Sequence, residues 1–94
     1  MITGFVTFSA TNAAQPLLSA AGIFGGITVW GYSSFSTGIP VNNASSAYLG
    51  INTGFLPIKI TAGSSFSMSP TNRDNIANYY AAGASGDGVF FYAW

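Results

Sequence analysis

The chain has 94 residues, enough for one domain with a modest core, and its four charged side chains, Lys59, Arg73, Asp74 and Asp87, cancel to a net charge of zero. Two basic residues cannot neutralise a run of phosphates, which excludes nucleic acid as a partner, and the absence of cysteine and histidine removes disulfides, thiolate sites and imidazole ligands. Charged residues make up 4% of the chain and aromatic residues 16%, a surface chemistry suited to lying against another protein and prone to association at zero net charge.

The N-terminal stretch ITGFVTFSA puts Ile2, Val6 and Phe8 on one face at the period of two of a half-buried strand. Thr3, Thr7 and Ser9 face the other way, with Phe5 the one apolar exception among them. This opening lacks the basic and apolar regions of a secretory leader, so synthesis in the cytoplasm without export through a cleaved leader is expected. AAQPLLSAAG, residues 13–22, is expected to hold one helical turn or a short helix. Residues 17–35 carry no charge over a length that approaches a membrane span. Four glycines, no flanking Lys or Arg, and the β-branched and aromatic run GITVWGY favour a strand instead.

That run, GITVWGYSSF, has Ile27 and Val29 on one face and Trp30 and Tyr32 on the other, the pattern of a central strand with two apolar faces. STGIPVNNASS (36–46) reads as a turn, AYLGI as a short strand, and LPIKITA alternates Ile58 and Ile60 against Lys59 and Thr61. SSFSMS sets Phe66 and Met68 against serines, the cleanest alternation in the chain. IANYYAA and VFFYAW are the last strands, separated by GASGDG, where Asp87-Gly88 is expected to supply the positive φ of a tight hairpin. Short strands with turns about every ten residues predict an all-β fold, a small antiparallel β-sandwich or barrel of about six to eight short strands. Residues 1–94 form a single β-domain, with 1–35 as the candidate assembly-interface segment.

Catalysis has little to work with. Without His, Glu or Cys, the general bases reduce to Asp74 and Asp87, and no serine has an evident activator. Asp74 is expected to form a surface ion pair with Arg73, and Asp87 to cap backbone N–H groups in its turn. Two aspartates are too few for a calcium cage, so no metal or cofactor is expected, and the chain is not expected to be an enzyme. Asn43-Ala44-Ser45 matches the N-glycosylation sequon, which is read as chance. Trp30, Tyr32, Tyr48, Tyr79, Tyr80, Tyr92 and Trp94 are the aromatic residues a sugar could stack on, although core and interface roles account for them more simply.

The order of pieces in the second half carries a resemblance. Tyr48-Leu49-Gly50, then Leu56-Pro57-Ile58, then Ala62-Gly63-Ser64 with Phe66 and Met68 are followed by Tyr79-Tyr80 and by Gly83-Ala84-Ser85-Gly86-Asp87 before Val89 and Trp94. Over residues 47–94 this resembles the small β-sandwich virion proteins of tailed bacteriophages, of the capsid decoration or cement type. The resemblance implies a structural protein that is made in the host cytoplasm and assembled into the virion. It would act as a homo-oligomer, with the major capsid protein or another virion protein as partner and neither nucleic acid nor membrane. The uncharged first half then supplies the expected interface, Phe24, Ile27, Val29, Trp30, Tyr32 and Phe35, since interface cores are poor in charge and rich in aromatics. The alternative is a carbohydrate- or receptor-binding β-module of a tail or fibre. A helical filament or membrane-embedded coat subunit built on residues 17–35 is a third reading and requires a helix there.

Overall fold

The computed structural model describes all 94 residues and is built almost wholly from strands. In chain order they are β1 (Ile2–Thr7), β2 (Gln15–Pro16), β3 (Ile23–Phe24), β4 (Ile27–Trp30), β5 (Tyr32–Ser36), β6 (Ile39–Asn42), β7 (Ala47–Gly50), β8 (Ile58–Ile60), β9 (Ser65–Met68), β10 (Asp74–Asn75), β11 (Tyr80–Ala82) and β12 (Gly88–Ala93). One turn of 3₁₀ helix, Ile76–Asn78, is capped by Asn75, whose side-chain oxygen accepts from the Ala77 N–H at 3.1 Å. The stretch 13–22 expected to hold a helical turn contains instead the two-residue β2, because Pro16 and Gly22 give the segment no uninterrupted helical register. No helix is long and apolar enough to cross a membrane.

Two four-stranded antiparallel sheets make the sandwich. The first runs β1-β12-β4-β9 and the second β2-β11-β7-β8, with two-stranded ribbons β10-β3 and β5-β6 beside them. β4 lies between β12 and β9, as its two apolar faces predict. The inner face of the first sheet carries Ile27 and Val29 of β4 and Val89, Phe91 and Ala93 of β12, all fully buried. The second sheet contributes Ala47, Leu49, Ile60 and Ala81, and these pack with the first set in one core. Phe8, Leu17, Phe24, Ile76 and Tyr79 complete that core from outside the two four-stranded sheets.

Period-two patterning explains most of this. Phe66 and Met68 sit opposite Val29 and Ile27 and pack on the core, while the serines between them face out. On β1, Ile2 and Val6 are half-buried against the core and Thr3, Phe5 and Thr7 are exposed. Gly4 between them is required by close approach: a Cβ there would lie 2.5 Å from the Phe91 ring.

The segment 36–46 is more than a turn. Strand β6 pairs with β5 in register Ser36↔Ile39 across Thr37-Gly38, both at positive φ, the geometry of a tight two-residue hairpin. The 83–88 segment is not the expected hairpin: β11 and β12 lie in different sheets, so it is a crossover between them, and its positive φ belongs to Gly86, at 91°, and not to the Asp87-Gly88 pair.

Candidate interaction surface

The six residues expected to form an interface divide into two groups. Phe24, Ile27 and Val29 are 0% exposed and fill the core of their own chain, Phe24 edge-on to Tyr79 at 5.2 Å. They are therefore not available to a partner. The reason is topological: Ile27 and Val29 lie on the inner face of the central β4, which belongs to the sandwich, and Phe24 on the short β3 closes the same core. Trp30, Tyr32 and Phe35 lie instead on the outer face of the first sheet and the hairpin beside it, Trp30 and Tyr32 half-buried and Phe35 exposed.

These three are joined by two residues outside the expected set. Phe90 lies directly opposite both Trp30 on β4 and Phe5 on β1. Its ring is 5.4 Å from Trp30 and 5.3 Å from Phe35, the latter edge-to-face. Phe35 also meets Phe5 at 5.8 Å and Tyr32 at 5.9 Å, both edge-to-face, and Tyr32 stacks on Trp30 at 6.4 Å. Such pairs add about 0.5–1.5 kcal/mol each beyond burial, and they hold down a two-stranded hairpin that would be marginal alone. Phe35 and Pro40 share the hairpin face turned to this cluster, while Ile39 and Val41 share the opposite face and are 66% and 41% exposed. The signal for Phe5 and Phe90 was present, as apolar residues on the outward side of otherwise alternating strands.

A second apolar area lies at the β7–β8 connection, where Ile51 and Phe55 are exposed. They border a groove of about 400 Å³ floored by Leu49, Ile58 and Met68. Beside it, and sharing Ile51 and Tyr79, is a groove of about 360 Å³ lined also by Asp74, Asn78 and Tyr80. Neither tryptophan lines either groove. Trp94 packs on Tyr92 at 5.9 Å and is half exposed.

The two aspartates are committed internally. Asp74 Oδ1 accepts from the Asn75 N–H at 2.7 Å and Oδ2 from the Tyr79 hydroxyl at 2.9 Å. These bonds, led by the backbone one, hold its carboxyl below the ordinary value. Burial first, and then the Asp74 bond and charge, push the Tyr79 phenol up to about 12. Arg73 does not make the expected ion pair with Asp74; its guanidinium donates to the Ile23 carbonyl at 3.4 Å.

Asp87 does cap backbone N–H groups, but remote ones. It is buried, and its two oxygens accept from Ala44 and Ser45, each at 2.9 Å. Asn43 beside them is buried too, donating to the Gly88 carbonyl at 2.8 Å and accepting from the Gly88 N–H at 2.9 Å. The sequon asparagine is thus occupied in the fold. No three His, Cys, Asp or Glu side chains come together to hold a metal. Comparison with protein-family models, with curated proteins and with solved structures gives no match for this chain.

Proposed function

We propose that this chain is a structural protein of a virion, a decoration or cement protein of a phage capsid that stabilises the shell through protein–protein contacts. The observation that carries the reading is the uncharged outer surface of the β5–β6 hairpin. There Ile39 and Val41 stand exposed, above an aromatic cluster that fixes the hairpin to the sandwich. Holding such residues in water is unfavourable, and covering them against a partner releases roughly 25 cal/mol per Å² before association costs. A shell offers the same joint many times, so a modest contact per copy becomes a stable coat. Synthesis in the host cytoplasm and a place in the virion follow from the same reading.

The test is to purify particles of the phage or prophage that encodes the chain and count its copies by mass spectrometry. Many copies per particle are expected, and absence from the particles would end the proposal. Ile39→Ser with Val41→Ser removes about 1–2 kcal/mol of burial at each position. Rebinding to stripped particles should therefore weaken by about a hundredfold, with the circular dichroism spectrum unchanged.

A further inference from the structure

We propose that β1 is a self-association edge, at which a second copy of this chain adds its own β1 antiparallel across a two-fold axis at Phe5. Four observations lead there, and none depends on the shell reading.

The first is that β1 is the longest edge and an unguarded one, since β5, five residues long, is interrupted by a bulge between Tyr32 and Ser34. β1 ends its sheet, runs six residues in unbroken register with β12, and contains neither proline nor charge. The other edges carry the devices that block pairing. β2 is two residues long and contains Pro16, β6 contains Pro40, and β8 is three residues long with Lys59 at its centre. β9 is four residues long and is followed at once by Ser69-Pro70.

The second is the direction of its backbone. Phe8 turns its polar groups inward, donating to the Asp87 carbonyl at 2.8 Å and accepting from the Gly86 N–H at 3.0 Å. On the far side of β12, Trp94 and Gly26 exchange both bonds, at 2.9 and 3.1 Å. Alternation along β12 then assigns Ala93, Phe91 and Val89 to β1, opposite Ile2, Gly4 and Val6. Both routes leave the N–H and C=O groups of Thr3, Phe5 and Thr7 directed out of the sheet.

The third is self-complementarity. Thr3, Phe5 and Thr7 are symmetric about Phe5, so a two-fold axis there sets Phe5 against its own copy and each Thr3 against the other copy's Thr7. Each of the three pairs then exchanges two N–H···O bonds. Thr–Thr and aromatic–aromatic are among the favourable cross-strand pairs, and no like charges meet. The fourth is an open core. Ile2 and Val6 are half-buried at this edge, although their partners Ala93 and Val89 are fully buried. A sheet continued across the axis covers both.

Light scattering after size exclusion, with the 9.7 kDa chain at about 100 μM, tests this. The wild type is expected at twice the monomer mass. Thr7→Pro removes an outward N–H that β12 does not use, so it should give a folded monomer. Thr3→Lys with Thr7→Lys sets like charges opposite each other and should also be monomeric, whereas Thr3→Lys with Thr7→Glu pairs opposite charges and should restore the dimer at low salt. A monomeric wild type overturns the proposal, as does a dimer that ignores Thr7→Pro or treats the two charged doubles alike. A dimer that never joins particles leaves this proposal standing and removes the shell reading.

Discussion

At the scale of single residues, the chain's two carboxylates hold loops in place. Asp87 and Asn43 form a four-bond clasp between the 43–45 loop and the start of β12, its Asn43 bonds buried and its Asp87 bonds part-buried, and every bond spans more than 40 positions of sequence. Replacing a clasp member leaves N–H groups buried and unpaired, which costs more than the bond itself contributes. Asp87→Ala removes the charged acceptor of the Ala44 and Ser45 amides, bonds that are part-buried, and is expected to lower stability by about 2 kcal/mol. Asn43→Ala strands both polar groups of Gly88 and should cost about 2 kcal/mol. Urea denaturation checks both. Losses under about 0.5 kcal/mol, the range of ordinary surface changes, would mean that the clasp is decorative.

At the scale of elements, the β5–β6 hairpin closes on a residue that fits poorly. Thr37 holds φ at 50°, a left-handed conformation that β-branched side chains avoid, while its hydroxyl donates to the Ser36 carbonyl at 2.7 Å. Thr37→Asn keeps a short polar side chain and accepts the conformation, so stability should rise by about 1 kcal/mol. A fall in the denaturation midpoint would contradict this. The same hairpin marks where the sequence stops being legible. Strands with one face on the core, such as Ser65–Met68 and Ile2–Thr7, show their register in alternation alone. In β6 the apolar Ile39 and Val41 face water around Pro40, so the pattern that reports burial is inverted and reads as a turn. The interface set failed in part for a related reason. A domain core and an interface core share the same apolar, aromatic, uncharged composition, and only topology told Phe24, Ile27 and Val29 from Phe35. Asp87 could be read as a capping residue, but its partners lie too far along the chain for any local pattern to name them.

At the scale of the whole molecule, four charged side chains and neither histidine nor cysteine leave no side chain whose ordinary pKa falls between about 5 and 9. Stability should therefore be nearly flat across that range, with the two arms outside it shaped by the Asp74–Tyr79 pair. Asp74 has its carboxyl lowered in the fold, so its contribution is complete above the unfolded value near 3.8 and is lost as pH falls through the folded one. Tyr79 is raised from 10 to about 12, so its contribution is complete below pH 10 and disappears as pH rises toward 12. Tyr79 lines both grooves, Asp74 one of them, and the Tyr79 ring packs edge-on against Phe24, so ionisation of the phenol reaches the core. Tyr79→Phe keeps the ring and removes the hydroxyl. The alkaline arm should then become shallower, because the position no longer ionises. The acid arm should shrink as well, because Asp74 loses its phenol donor and titrates nearer its ordinary value. Denaturation midpoints from pH 2 to 12 for both proteins decide the matter. An alkaline arm unchanged by Tyr79→Phe would show that the pair does not govern how the fold responds to pH.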